Sequence, residues 1–153
     1  MPPSERLAAL GLTLPAVPAA VGAYVPAVRH GDLVITTGQL PFVDGALPLT
    51  GLVGVDVTVA QAAALTRQAA LNAVAAAAAI LGGIDRIARV LSVTGHIACG
   101  PGFTGHPAVL DGASTLMVDL FGETGRHVRT NVGAARLPLD SPVEVGIMVT
   151  TAI

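Results

Sequence analysis

The chain contains no lysine, and its eight basic residues are all arginines. They are Arg6, Arg29, Arg67, Arg86, Arg89, Arg126, Arg129 and Arg136. Without a lysine amine, the chain lacks the group needed for Schiff-base catalysis and for covalent attachment of pyridoxal phosphate. It also lacks the lysine of a phosphate-binding P-loop. These three kinds of site are therefore excluded.

Cysteine and aromatic residues are also scarce. Because Cys99 stands alone, neither an intramolecular disulfide nor a multi-cysteine zinc site can form within one chain. Three Phe, one Tyr and no Trp offer few platforms on which bases stack. The formal net charge of -2 and the pI near 6.0 provide no basic field for a phosphate backbone. We therefore expect no nucleic-acid partner.

The chain is strongly apolar, yet it has no membrane-spanning pattern. It is 52% hydrophobic and 12% charged, with a mean hydropathy of +0.72. Its longest apolar run, 73–81, is far shorter than the roughly 20 residues that cross a bilayer. The N-terminus does not start with basic residues followed by a long apolar segment, so we expect no secretory signal, no membrane contact and a cytoplasmic location. Extensive subunit contact would bury the excess apolar surface.

The length of 153 residues suits a single domain over 1–153, with 1–22 as an N-terminal helix and extended segment. Ser4 as the N-cap and Gly11 as the stop predict a short helix there. The Pro- and Ala-rich stretch that follows, 14–22, is expected to be extended and to connect the helix to the rest of the domain.

Hydrophobic periodicity divides the rest of the chain into strands and helices. The strongest helix signal is a capping box formed by Thr58 and Gln61, ahead of an alanine-rich stretch that stops at Gly82. Helical spacing there predicts a stripe that excludes Asn72 and consists of Leu65, Leu71, Val74, Ala78 and Leu81. The alanine run 75–79 favours close packing of this helix onto the sheet. The predicted elements are strands at 23–28 and 33–37 joined by a hairpin at 29–32, a weaker strand at 42–47, a helix at 59–81, a strand at 86–98, a helix at 107–121, and strands at 130–136 and 143–151. This order predicts an α+β two-layer domain, in which one mixed sheet carries both helices on one face. Since the last strand is apolar at nearly every position, other subunits are expected to bury the second face.

One arginine and one glutamate stand out near the C-terminus. Arg129 and Glu144 fall on two predicted strands that we expect to adjoin, in a chain with few charges. Desolvating a guanidinium without a partner is costly, and a carboxylate meets its fork with two parallel hydrogen bonds. The partner is either Glu144 or a substrate carboxylate. We therefore predict a small site that binds a carboxylate and positions water.

The other motifs favour ordinary structural roles. A G-x-G-x-x-G pattern runs from Gly100 to Gly105, but Pro101 and Pro107 remove the N–H donors that a dinucleotide would need, which favours a plain loop. The histidines are too scattered for a helix-borne pair of ligands, so we expect no metal site. His127, two residues before Arg129, is either a supporting neighbour of the site or a loop histidine. Tyr24, considered on its own, is expected to be a partly buried ring whose hydroxyl makes a structural hydrogen bond.

One sequence block is specific enough to indicate a family. The run 129–138 reads Arg-x-x-Val-Gly-x-x-x-Leu-Pro, and together with 23–25 and 34–40 it resembles the Rid family of reactive intermediate deaminases, also called the YjgF family. The resemblance covers most of the chain, while 111–114, 121–127 and the longer N-terminus are similar to a divergent branch. It implies a chorismate-mutase-like fold, a homotrimer and three sites in the clefts between subunits.

The resemblance also implies a role for each site residue. Arg129 would grip the carboxylate of the substrate, and Glu144 would position or activate water. The expected substrate-binding residues are Tyr24 lining the pocket, Thr37 where the family commonly has a serine, Gly38 as the point of close backbone approach, Asn131 where the best-known deaminases often carry a cysteine, and His127.

The implied reaction needs no cofactor. An enamine tautomerises to an imine, water adds to its carbon, and the carbinolamine expels ammonia to leave a 2-keto acid. Positioning of the substrate and one proton-handling group suffice to accelerate this reaction.

The alternative function is that of a non-catalytic, small-carboxylate-binding trimeric regulatory protein. Asn131 and the loop 99–105 keep this alternative open. RNA cleavage, attributed to some relatives, ranks last because of the acidic pI and the missing lysines. The side chain of the substrate stays open.

Overall fold

The computed structural model describes residues 1–152, which include one five-stranded mixed sheet in the order β1-β2-β5-β3-β4. The strands are β1 Ala27–His30, β2 Leu33–Thr36, β3 Ile87–Ala98, β4 Val128–Ala134 and β5 Val143–Thr151; the helices are α1 Pro3–Ala9, α2 Val59–Leu81 and α3 His106–Phe121. β3 and β4 run parallel, and the other neighbouring strands are antiparallel. The predicted α+β fold is thereby confirmed. Ile153, the last residue of the predicted domain, lies outside the described residues.

α2 is the best-predicted element of the chain. The Gln61 amide donates to Thr58 Oγ1 at 3.1 Å and the Thr58 amide donates to Gln61 Oε1 at 2.9 Å, which completes the capping box. Gly82, with φ 83°, ends the helix in the left-handed conformation. Although α2 is long and apolar enough to span a membrane, its most apolar window is 67% buried. α2 is therefore a core helix, and the domain is of the soluble type.

α2 and α3 pack closely over the same face of the sheet. A Cβ atom at Gly112 of α3 would collide with the backbone carbonyl of Ala63 in α2, so the two helices approach as far as their backbones allow. The predicted apolar stripe of α2 is buried at each position: Leu65, Leu71, Val74, Ala78 and Leu81. The alanine-rich sequence thus serves close helix packing, as predicted.

The two faces of the sheet differ in cover. Along β5, odd-numbered residues are buried and even-numbered residues are half-buried. The face away from the helices carries exposed apolar side chains, namely Val28, Ile35, Val128 and Val132. This uncovered apolar face is consistent with the expectation of subunit contact.

The start of α1 differs from the prediction. Ser4 is not the N-cap: the helix begins at Pro3, and Pro2 holds the cap position without a side-chain bond. Both the amide and the hydroxyl of Ser4 donate instead to the Asp85 carboxylate, at 2.8 and 2.6 Å. A contact between residues distant in sequence has thus replaced the local cap.

The first hairpin is shorter than predicted. β1 begins at Ala27, so Tyr24 precedes the strand, and the turn contracts to Gly31 and Asp32. Gly31, with φ 59°, supplies the positive φ that a two-residue hairpin turn needs. The weaker strand at 42–47 is reduced to a single bridge around its turn.

Asn72 is the main error in the prediction of α2. The sequence places it off the buried stripe, yet it is only 6% exposed. Its Nδ2 donates to the carbonyls of Leu40 at 2.9 Å and Phe42 at 3.1 Å, while Gln68 donates to its Oδ1 at 3.0 Å. Asn72 therefore pins the segment after β2 to the helix layer.

Candidate functional site

Glu144 lies on the uncovered face of the sheet, where its neighbour across β3 is His96. A Cβ atom at Gly38 would overlap the Glu144 carboxylate, so only glycine permits this close approach. A cavity of about 210 Å³ opens beside the carboxylate and is lined by Ser92, Thr94 and His96 among others. The carboxylate therefore faces a small space that has polar side chains in its wall and is large enough for water and a small reacting group.

A second cavity, of about 310 Å³, shares Gly38 with the first. Tyr24 and Thr37 line it, so three of the predicted substrate-binding residues do come together beside Glu144. The rest of its wall is mainly apolar: Pro18, Ala19, Ala20, Val21, Pro26, Gln39, Leu40, Phe42, Pro138 and Leu139. The N-terminal extended segment thus forms one side of this cavity.

Arg129 lies at a different place. Its NH1 donates to Asp111 Oδ1 at 2.8 Å and to Ser114 Oγ at 3.2 Å, and its NH2 donates to the Pro107 carbonyl at 3.3 Å. The sequence suggests Glu144 or a substrate as its partner, but within the chain the partner is Asp111. Since Asp111 and Ser114 are three residues apart on α3, they face β4 together, and this spacing is the signal that could have identified them.

His127 supports the arginine through Ser114. Its Nδ1 lies 2.6 Å from the Gly125 carbonyl and its Nε2 lies 2.9 Å from Ser114 Oγ. A carbonyl only accepts, so we assign the proton of the neutral ring to Nδ1, and Nε2 then accepts from Ser114. Ser114 Oγ in turn accepts from Arg129, so His127 is the supporting neighbour among its two predicted roles. Ser114, His127 and Arg129 also border a shallow cavity of about 350 Å³.

Asn131 is occupied by the backbone of α3. Its Nδ2 donates to the His106 carbonyl at 2.6 Å, while its buried Oδ1 has no partner within the described chain. By register Asn131 shares the helix-facing side of β4 with Arg129, two residues earlier. The side chain thus fastens the start of α3 next to the arginine.

Arg129 and Glu144 lie on opposite faces of the sheet. β3 runs between β4 and β5, so the two strands do not adjoin as the sequence suggests. Arg129 is opposite the buried Val93 of β3, whereas Glu144 is opposite His96. Consecutive residues of a strand point to opposite faces, and residues 93 and 96 are an odd number apart. The predicted site residues of one protomer therefore fall into two separate groups, which we call the arginine half-site, around Arg129, and the glutamate half-site, around Glu144.

Two motifs remain, the scattered histidines and the glycine pattern. Residues 1–152 contain no group of three or more His, Cys, Asp or Glu side chains placed to hold a metal ion. The glycine pattern from Gly100 to Gly105 forms the loop between β3 and α3, with Gly105 at the N-cap and Pro107 in the first turn. This arrangement confirms the prediction of a loop.

Comparison with known proteins identifies the family. The sequence model described as "YjgF/chorismate mutase-like, putative endoribonuclease" matches residues 4–150. Protein TCP17 of Trypanosoma cruzi is 40% identical over 147 residues, which covers 95% of this chain and 92% of that protein. A crystal structure named a "putative endoribonuclease" from Shewanella oneidensis superposes with a TM-score of 0.94 at 37% identity, over 98% of this chain and 99% of its own.

A protein of unknown function from Agrobacterium tumefaciens gives a TM-score of 0.91 at 39% identity, over 98% of this chain and 92% of its own. The similarity extends along nearly the whole chain. The chain therefore belongs to the YjgF/chorismate mutase-like family, as its Arg129–Pro138 block indicates.

Proposed function

We propose that this protein is a cofactor-independent imine or enamine hydrolase that converts reactive 2-imino acids to 2-keto acids and ammonia. The observation that carries the proposal is the position of the Glu144 carboxylate, against Gly38, where two cavities meet, one with Ser92, Thr94 and His96 in its wall and the other mainly apolar. A carboxylate held there can handle the proton of a water molecule while the side chain of a substrate occupies the apolar cavity.

In the proposed reaction, Glu144 handles the protons of the hydrolysis, and the substrate contributes the imine and the carboxylate by which it is held. The enamine takes a proton from solvent on its β-carbon and becomes an iminium ion, the protonated form of the imine. Glu144 then accepts a proton from water as the water oxygen bonds to the iminium carbon and the C=N electron pair moves onto nitrogen, which gives a carbinolamine. The same carboxyl group gives this proton to the nitrogen, and ammonia leaves as the C–N bond breaks. The hydroxyl then loses its proton to the Glu144 carboxylate, which returns it to solvent, and becomes the ketone. The substrate carboxylate is held by an arginine fork throughout.

A homotrimer would bring the two half-sites together. In this proposal, the arginine half of one subunit meets the glutamate half of its neighbour around a closed ring, a heterologous arrangement that a threefold axis permits. Two observations support it: Arg129 and Glu144 lie on opposite faces of one protomer, and the uncovered face is apolar. Light scattering is expected to give three times the chain mass of 15.2 kDa, and a stable monomer would contradict this part of the proposal.

Glu144→Gln tests the chemistry. Glutamine keeps the shape and one acceptor but cannot take a proton from water, so hydrolysis of a freshly generated 2-aminoacrylate-type imine should fall by about 10²-fold or more. Ammonia and 2-keto acid release are measured against the spontaneous rate, and binding of 2-keto acids should be retained. Equal rates for wild type and Glu144→Gln would remove Glu144 from the reaction.

Mixed trimers test the shared site. Co-expression of Arg129→Ala with Glu144→Gln chains should restore activity that neither variant has alone, because some clefts then combine an intact arginine with an intact glutamate. Random mixing restores about a quarter of the clefts in a cyclic assembly. A site complete within one chain would show no restoration.

The second candidate is carboxylate binding without turnover, within the same trimer. It is favoured by the arrangement around Arg129, which is complete without Glu144. If wild-type protein binds small 2-keto acids through Arg129 but does not accelerate hydrolysis, this regulatory function replaces the enzyme.

RNA cleavage has less support because four of the eight arginines are already in ion pairs. The proposed partners are thus a small carboxylate and two further copies of the chain, in the cytoplasm.

A further inference from the structure

A thiol and an imidazole meet at the junction of β3 and α3. Cys99 follows the last residue of β3, and His106 is the first residue of α3. Cys99 Sγ lies 3.5 Å from His106 Nε2, within hydrogen-bonding distance for sulfur. The amide of Cys99 donates to the Ala134 carbonyl at 3.0 Å, which fixes the thiol against the end of β4.

The surrounding residues make room for this pair and orient it. A Cβ atom at Gly133 would lie 2.9 Å from His106 Nε2 and 3.1 Å from Cys99 Sγ, closer than side-chain carbons normally approach. The Phe103 ring packs edge-on against the imidazole, with ring centroids 5.2 Å apart. Asn131 holds the His106 carbonyl. Glycine at 133 thus leaves the thiol and the imidazole free to touch.

The pair borders a cavity that neither half-site uses. The cavity, of about 640 Å³, is lined by Cys99, His106 and Gly133, and by Arg136 and Leu52 on its other sides. None of its lining residues borders the cavities of Glu144 or Arg129. Both Cys99 and His106 are only partly buried. A small molecule in this cavity would therefore reach a thiol with a proton acceptor already beside it.

We propose that Cys99 and His106 form a nucleophilic site that adds covalently to small α,β-unsaturated carbonyl compounds. His106 Nε2 takes the thiol proton as Cys99 Sγ bonds to the β-carbon of the compound. The electron pair of the double bond moves onto the carbonyl oxygen as an enolate, and the imidazolium returns the proton to the α-carbon. No atom leaves and nothing is oxidised. Arg136 on the cavity wall pairs with Asp140 through NH1 at 2.8 Å, and its other guanidinium nitrogens are the donors offered to a carbonyl or carboxylate oxygen of the compound.

N-ethylmaleimide, itself such an electrophile, is the probe. The native full-length protein is incubated with it, and adduct formation is followed by intact-protein mass spectrometry. Since Cys99 is the only cysteine, one adduct per chain reports this thiol, and Cys99→Ser should give none. The wild-type rate should exceed that of a peptide copying residues 97–103 by about tenfold or more, a threshold set below the roughly 10²-fold that a positioned base typically supplies.

His106→Gln decides the role of the imidazole. It should slow the reaction to the peptide rate or below, whereas the matched change His30→Gln, at the exposed end of β1, should leave it unchanged. If His106→Gln does not fold, Gly133→Ala on the exposed edge strand takes its place, because the added methyl forces the pair apart. A wild-type rate no higher than that of the peptide, or an unchanged rate in the deciding variant, would reduce the contact to ordinary packing and overturn the proposal.

Discussion

Asp111 and Arg129 form an ion pair, 2.8 Å between Oδ1 and NH1, inside the arginine half-site. The arginine side chain is 28% exposed and the aspartate side chain 64% exposed, so the pair lies at the rim of the site. A ligand carboxylate that approaches Arg129 therefore meets a guanidinium group that is already paired with the Asp111 carboxylate. The ligand must displace Asp111 or bind to the guanidinium nitrogens that Asp111 does not occupy.

Removing the charge of Asp111 should strengthen ligand binding. Asp111→Asn keeps an oxygen that can accept from Arg129 but removes the competing carboxylate. Because exposed ion pairs are worth at most about 1 kcal/mol, we expect small 2-keto acids to bind up to about fivefold more tightly. Calorimetric titration measures the change. Asp119→Asn, which breaks the Arg67 pair away from the site, is the matched control. Weaker binding would mean that Asp111 is required to hold the fork in place.

Replacing the fork itself should weaken ligand binding. Arg129→Lys keeps the charge but cannot present two parallel donors to a carboxylate. The expected loss is about 2 kcal/mol or more, roughly 30-fold in affinity for small 2-keto acids. Arg67→Lys, in α2 where Arg67 pairs with Asp119, makes the same exchange and should leave binding unchanged. Equal affinities for the wild type and Arg129→Lys would show that Arg129 does not bind the ligand.

A single methyl group should disable the glutamate half-site. In Gly38→Ala the new Cβ collides with the Glu144 carboxylate, so the side chain must leave its position. Hydrolysis should then fall to the level of Glu144→Gln. Gly102→Ala is the control, because a Cβ atom there meets nothing within 4 Å. Thermal unfolding separates lost chemistry from lost folding, and full activity of a folded Gly38→Ala would contradict the assigned position of Glu144.

Asn72 should contribute to stability in spite of its polar side chain. Asn72→Ala leaves the part-buried carbonyl of Leu40 without its side-chain donor and that of Phe42 with only the longer 3.4 Å bond from Gln68, at an expected cost of about 1 to 3 kcal/mol. For a domain of this size each kcal/mol corresponds to about 2 to 4 °C in Tm. Thr115→Ala, exposed on α3, serves as the control and should change Tm little. An unchanged Tm for Asn72→Ala would show that water replaces the amide.

Local signals predicted the elements of this fold well. The capping box at Thr58, the glycine stop at Gly82 and the apolar last strand depend on neighbouring residues, and the structure places these features where the sequence does. Their physical causes, namely satisfied terminal amides and alternating burial, act over one or two turns of chain. Ser4 is the informative exception, because its bonds to Asp85 arise from contact between distant parts of the chain.

The arrangement of the site could not be predicted in the same way. The sequence identifies Arg129 and Glu144, but strand order is decided by tertiary packing, and β3 lies between their strands. The ion pair with Asp111 and the Cys99–His106 contact likewise depend on how α3 crosses from β3 to β4. Hydrophobic periodicity and secondary-structure propensity carry no information on the distances between side chains that tertiary packing brings together.

The Ser4–Asp85 contact has a consequence for the apolar cavity beside Glu144. It joins residues 81 positions apart and anchors α1, while the pairing of β1 anchors the chain again from Ala27. The segment between these anchors, which includes the cavity wall at 18–21, is therefore held at both ends. It should lose little conformational entropy when a ligand binds against it. In the proposed enzyme, this segment would border the side chain of the substrate while Glu144 on the sheet handles the proton, so substrate preference and proton transfer would fall to separate parts of the chain.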